Sequence, residues 1–408
     1  MSTTSPGWTN WSGGVTCDPA RLSTPTSEDA LVTIVREAGR AGMETRVAGT
    51  GHSFVPLCAT DGVLLSLDGL QGVVHTDPAA MRATVRAGTK IHQLGAPLLA
   101  DGMAMKNMGD IDRQSLAGAI STGTHGTGPT LGNIATQVVG LRLLIASGEC
   151  IDCSAERESG IFDAARVSLG MLGIITQVTL LVLPAYRLHE RTWVATFDEC
   201  MANLDDLIDA TRHFEFFWSP RDDACAMKAL HPTLAESVEE PTTEPITEGR
   251  LARYLSPERV DWSYRILPSE RNVRFNEMEF AVPAAHGPDC LREIRLLMRE
   301  KHPDVTWPVE YRTLRADDIP LSPAYGRETV TISIHQDARL PHRAFFADAE
   351  AIFRNHHGRP HWGKMHGYGG RELRDLYPLW DQFHRVRQQV DPTGQFLNAY
   401  LRLELLDG

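Results

Sequence analysis

Between Leu116 and Asn133 the chain reads LAGAISTGTHGTGPTLGN, with Gly118, Gly123, Gly126, Gly128 and Gly132 set among small hydroxylated residues around one histidine, His125. By itself this could be a flexible turn, but backbone so bare can approach another surface closely. A shorter loop of the same kind, GTGHSF, follows a β-like run and sets His52 beside Gly49 and Gly51. Successive amides in such a turn form a nest that can hold a pyrophosphate. Neither loop is the dinucleotide fingerprint, because the third glycine and the following helix are missing, and there is no Walker A loop. A lone loop histidine is ordinarily a hydrogen-bonded surface residue. Two phosphate-grade loops about 70 residues apart nevertheless point together to a cofactor of dinucleotide size.

The 408 residues are enough for two or three domains with a sizeable core. Hydrophobic residues at 42% and charged residues at 23% set disorder and fibrous repeats aside. Lys plus Arg is 40 against 52 Asp plus Glu, a net charge of −12 without a long basic run, so no nucleic-acid partner is expected. No apolar stretch is long enough to span a bilayer, and MSTTSPGWTN lacks the charged start and apolar core of a signal peptide. Seven cysteines, an odd number thinly spread, suggest a reduced, cytoplasmic protein. Cys150 and Cys153 form a CxxC in ASGECIDCS, which reads as a hairpin turn, and no second pair completes a zinc set. His356, His357, His361 and His366 lack a tight ligand spacing with carboxylates, so no metal is expected.

Ser27 caps a predicted helix with apolar residues at Leu31, Ile34, Val35 and Ala38, ended by Gly42. IHQLGAPLLADG reads as a helix stopped by Gly102, and ATVRA, QVVGLRLLIASG and GIITQVTLLVLP read as strands, the last apolar enough for burial on both faces. The texture changes near Pro184, where a domain boundary is expected. His231 to Arg250, rich in Glu, Thr and Pro, reads as an exposed excursion. EMEFAVPAA, WPVEYRTLRA and TVTISIHQ follow as strands, interrupted by the helical CLREIRLLMREKH. On a strand, period two puts Glu310 and Arg312 on one face with Tyr311 opposite. An ion pair on a solvated face is the plain alternative, and Lys364, in HWGKMH, could equally be a snorkelling surface residue.

Taken in order, TNWSGGVTCDP with PTS, GTGHSF with CATDGVLLSLDGL, LAGAISTGTHGTG, VEYRT with DDIPLSPAYGRE, HWGKMH and DPTGQFLNAYLR resemble the vanillyl-alcohol-oxidase (PCMH) type of FAD flavoprotein, in its sugar-1,4-lactone oxidase and alditol oxidase branch. The resemblance runs nearly end to end. It implies an α+β fold: a two-subdomain FAD-binding domain at 1–186, a cap with a large antiparallel sheet flanked by helices at 187–355, and a C-terminal segment, 356–408, returning to the FAD domain. The flavin would be lined by Ala48, Gly49, Thr50, Gly51, His52, Ser53, Gly109, Asp110, Gly118, Ser121, Thr122, Gly123, Thr124, His125, Gly126, Gly173, Ile174 and His361. His52 matches the covalent attachment point, and the absence of a cysteine from the later loop implies a single link.

Catalytic roles fall on Glu310, Arg312 and Lys364, joined by Ser333, which aligns with a histidine of the alditol oxidases, and by His335 two residues on. The implied reaction removes a hydride from a carbinol of an aldono-1,4-lactone, or alternatively of an open-chain polyol, and reduces oxygen to peroxide. Plant galactonolactone dehydrogenases, which resemble this stretch, carry alanine where Gly109 stands. That glycine leaves a path for oxygen; a dehydrogenase using another acceptor is the alternative.

Overall fold

A computed structural model describes residues 7–239, 251–269 and 273–406. Ser27 caps the first helix, Glu28–Arg40, its Oγ accepting from the Ala30 amide at 3.2 Å, and Leu31, Ile34, Val35 and Ala38 form its buried stripe. The helix leads into a small parallel sheet in the order Arg21–Ser23, Val63–Ser66, Thr45–Ala48. Beside it lies a five-stranded antiparallel sheet in the order Cys150–Ser154, Val138–Leu144, Ile174–Leu181, Arg82–Arg86, Val73–Asp77.

From Arg187 onward the chain builds a second, eight-stranded antiparallel sheet. Its order is Arg259–Trp262, Arg187–Thr196, Ala224–Thr233, His213–Ser219, Val309–Leu314, Thr329–Asp337, Phe275–Pro283, Arg359–Pro360. The period of two is kept across the central strands. Phe216, Tyr311, Ile332, Ile334, Met278 and Phe280 make one buried apolar face, with Phe216 stacked on Tyr311 at 4.9 Å and Phe280 on Phe353 at 4.8 Å. Helices Gly287–Glu300 and Arg343–Asn355 cover that face with Leu291, Ile294, Met298, Phe346 and Phe353. The alternate positions, Glu215, Glu277, Glu279, Glu310, Arg312, Ser333 and His335, point the other way, are also buried, and face the N-terminal half.

The C-terminal segment closes the arrangement. Asp391 accepts from the amides of Gln395 and Phe396, both at 2.8 Å, fixing the turn of DPTGQF. The Gln395 carbonyl then takes the Thr45 amide at 2.8 Å, and Asn398 donates to the carbonyls of Pro56 and Ala59. Arg46, buried, donates to the carbonyls of Leu57, Leu169, Gly170 and Phe396, so one guanidinium ties the C-terminal segment to two loops of the N-terminal half.

Three local expectations change. IHQLGAPLLADG splits into a 3₁₀ turn, Ile91–Gln93, and a short helix, Gly95–Ala100. Pro97 falls in the first turn of that helix, where its missing N–H costs nothing. The Cys150–Cys153 pair lies in the strand after the hairpin turn, not in the turn, and residues three apart on a strand point to opposite faces. Cys153 is buried in the core and Cys150 half-buried, so the pair has no chelating geometry. Of the expected excursion, His231–Thr233 complete a strand, 234–239 run over the surface, and 240–250 lie outside the described residues.

Candidate active site

A cleft of about 1800 Å³, mouth included, lies between the polar face of the large sheet and the two glycine-rich loops. Among the expected cofactor residues Ala48, Gly49, Thr50, Gly51, His52, Ser53, Gly109, Asp110, Gly118, Ser121, Thr122, Thr124, His125, Gly173, Ile174 and His361 line it. So do Glu310, Arg312, His335 and Lys364.

Gly123, Gly126 and Ser333 do not line the cleft. Gly123, at φ +74°, turns the chain out of the short helix before it, and a Cβ there would point at Pro323. Gly126 faces backwards, where a Cβ would lie 2.2 Å from the Met108 carbonyl oxygen. Ser333 sits beneath Glu279, to which its hydroxyl donates at 2.6 Å.

The loops fit a dinucleotide. Among the described residues, the amides of Thr50, Gly51, His52 and Ser53 donate to no protein acceptor, as a nest for an anion requires. Gly49 packs closely on Ser115, whose Oγ would lie 2.3 Å from a Cβ there. Gly173, at φ +143°, keeps the backbone against the Leu144 carbonyl in a conformation that favours glycine. Gln114 adds a buried Oε1 without a partner on the same wall.

His52 stands at the cleft with its ring stacked on Trp11, centroids 5.3 Å apart and planes 18° apart, and Nδ1 3.0 Å from Thr50 Oγ1. Burial, reinforced by the charge of Lys364, pushes its pKa down to about 4, so the ring is neutral at pH 7. His361 accepts the Gly363 amide at Nδ1, 3.0 Å away, which leaves the hydrogen on Nε2; burial lowers its pKa to about 3.

The charged groups form one network. Arg312 Nη2 lies 3.1 Å from Glu279 Oε2 and 3.2 Å from Glu310 Oε2. Burial alone would depress the guanidinium, but Glu310 and Glu279 outweigh it and hold it above its ordinary value. Burial likewise works against the Glu279 carboxylate, yet His125 and Arg312 keep it well below the usual range. His125 Nε2 is 2.5 Å from Glu279 Oε1, while Nδ1 donates to the Gly126 carbonyl at 2.8 Å. Further along the sheet Glu277 pairs with Lys364, whose Nζ also lies 5.0 Å above the Phe54 ring. Burial would raise Glu277, but Lys364 and His335 overcome it and hold its pKa at about 2.

Glu277 and Glu279 went unread in the sequence. The signal was there in EMEF, an alternation of acid and apolar residues at the start of a strand that is otherwise core. Phe217, Tyr254, Phe275 and Trp307 also line the cleft and had no motif to mark them.

Fold and site together define an FAD flavoprotein of the PCMH type. Residues 19–154 match the FAD binding domain profile, and 178–255 and 229–403 match the D-arabinono-1,4-lactone oxidase profile. The chain belongs to this family of FAD-dependent oxidoreductases, which act on CH–OH groups of sugar lactones and alditols. An L-gulono-1,4-lactone dehydrogenase of Mycobacterium tuberculosis is 36% identical, covering 98% of this chain and 99% of its own. The mouse L-gulonolactone oxidase is 30% identical over 96% of each chain, and an alditol oxidase of a Streptomyces species 29% over 98% of this chain and 99% of its own. A solvent-stable cholesterol oxidase has the same fold, with a TM-score of 0.85 at 18% identity, covering 97% of this chain and 96% of its own.

Proposed function

We propose that the chain is an oxidase of an aldono-1,4-lactone, with FAD linked covalently through His52 and molecular oxygen as the acceptor. The observation that carries this reading is the meeting of Glu310, Arg312, His335 and Lys364 with both glycine-rich loops around one cleft. FAD, when bound, supplies the acceptor for the hydride. The chain supplies charge and proton handling. Arg312, clamped by two carboxylates, is the fixed cation beside the alkoxide that develops as the carbinol loses its proton; preorganised groups of this kind contribute roughly 2.7–4 kcal/mol. Glu310, its neighbour on the cleft wall, takes that proton. His52, neutral and fixed by Trp11, is suited to act as the nucleophile of a flavin link.

Gly109, on the cleft wall, supports oxygen as acceptor. We assign 1–186 with 356–408 to cofactor binding and 187–355 to the cap. Among the described residues no helix is long and apolar enough to cross a membrane, and seven free cysteines support a cytoplasmic location. An open-chain polyol is the second reading, favoured by His335, which reaches the cleft where Ser333 does not. An aerobic peroxide assay over aldonolactones and alditols decides. Peroxide from lactones is expected; peroxide from alditols alone selects the second reading, and turnover only with an artificial dye selects a dehydrogenase.

A further inference from the structure

A row of alternating charge runs across three adjoining strands of the large sheet. Arg312 stands opposite Glu215, and Glu215 opposite Lys228, so the three side chains share the polar face. Lys228 is 7% exposed, with Nζ 2.9 Å from Glu215 Oε1 and 3.7 Å from Asp110 Oδ1. Burial works against the ammonium, but Asp110 and Glu215 outweigh it and hold its pKa above the ordinary lysine value. Its head is therefore charged at neutral pH. A buried ion pair of this kind often adds little to stability over apolar side chains of the same volume, so what the position supplies is charge.

Lys228 and Glu215 do not line the cleft. They face a second, smaller cavity of about 260 Å³, mouth included, and Asp110 lines both. Glu310 is where this row meets the cleft. One oxygen each of Asp110, Glu215 and Glu310 lie within 4.8 Å of one another, and the Glu310 carboxylate is equally close to a Glu277 oxygen and a His335 nitrogen. Arg312 pairs with Glu310 and Glu279, His125 with Glu279, and Lys364 with Glu277. The ammonium that pairs with Asp110 and Glu215 is that of Lys228. Carboxylates at such spacing repel one another, and where their charge is not balanced one of them keeps a proton at neutral pH. A Glu310 that already holds a proton cannot accept the one released as the carbinol O–H bond breaks and the hydride departs.

We infer that Lys228, outside the cleft, is a positioning residue for carbinol oxidation: acting through Glu215 and Asp110, its ammonium balances the charge beside Glu310 and keeps that carboxylate ready to take a proton. The inference rests on the reading of Glu310 as the group that takes the carbinol proton.

The test is the rate at which L-gulono-1,4-lactone reduces the holoprotein in the absence of oxygen, followed across pH by bleaching of the flavin in stopped flow. The rate should rise with pH through an acid limb that Glu310→Gln abolishes. Lys228→Met should move the midpoint of that limb up by about one pH unit or more, and Lys228→Arg, which restores the charge, should leave it near wild type. Glu215→Gln removes a negative charge and should move the midpoint down; it serves if Lys228→Met does not fold. Loss of rate by the same factor at every pH in Lys228→Met, or an unmoved limb in Glu215→Gln, marks a structural role and overturns the inference while leaving Glu310 as the base. An acid limb that survives in Glu310→Gln overturns the reading of Glu310, and the inference falls with it.

Discussion

His125 Nε2 lies 2.5 Å from Glu279 Oε1, and this contact joins a glycine-rich loop of the N-terminal half to the strand Phe275–Pro283, where the other Glu279 oxygen accepts from Arg312. Both residues are buried, so the bond is not screened by solvent. Glu279 thus connects that glycine-rich loop to the Arg312 guanidinium. Glu279→Ala removes the carboxylate that pairs with His125 and one of the two that pair with Arg312. It should destabilise the protein by about 3–5 kcal/mol, the range for breaking a buried pair from one side. Glu279→Gln, which keeps the shape and one acceptor, should cost less. Thermal unfolding of the two variants checks the order.

His52→Ala should release the flavin. Acid precipitation of the wild type is expected to leave the yellow colour in the pellet and that of the variant to leave it in the supernatant. Turnover by the variant should fall at least tenfold, about 1.4 kcal/mol. Colour that stays in the variant's pellet would place the link elsewhere.

Gly49→Val tests the nest. Its Cβ would meet Ser115 Oγ at 2.3 Å, so Ser115 or the loop must shift, and the branched side chain would crowd the nest. The purified variant is expected to carry little flavin, read as the ratio of visible to ultraviolet absorbance, while its far-ultraviolet circular dichroism stays close to wild type.

Gly109→Ala tests the oxygen path. The added methyl lies 2.8 Å from the His125 carbonyl oxygen, a backbone atom, so the loop must give way by a few tenths of an ångström. Reoxidation of the reduced enzyme, followed by stopped flow, should slow at least tenfold while anaerobic reduction by substrate changes less. Unchanged reoxidation would remove Gly109 from the oxygen path.

Acid should destabilise the protein in two stages. Burial lowers His213 and His361 to about 3 and His366 and His384 to about 4, below the usual 6.5. Their folded values are depressed, so below 6.5 the unfolded chain binds the protons first. The stability present above that pH is lost as pH falls toward 3 to 4, each histidine contributing up to about 1.4 kcal/mol per pH unit. Glu277, held at about 2, adds a second loss between 4.5 and 2 as its carboxylate is protonated. The melting temperature should drop steeply below pH 6.5, and Glu277→Gln should flatten only the lower limb.

The period-two alternation of VEYRT sufficed to put Glu310 and Arg312 on one face, because a strand's pleat is a local property. The Ser27 cap and the glycine turns were local too. Which strands lie beside that one is not local. Glu277 and Glu279 sit more than 30 residues earlier, and only the strand order sets them beside Ser333 and His335. The same holds for Ser333, which one-dimensional alignment put at the substrate and the packed sheet put under Glu279. By itself the sequence determined the glycine-rich loops, the family motifs and the faces of individual strands, since each depends on residues within a few positions of one another. Tertiary structure alone decided which charges meet: burial brings carboxylates and cations from distant strands within about 3 Å in a medium where an unpaired charge costs several kcal/mol, and pairing there is fixed by packing.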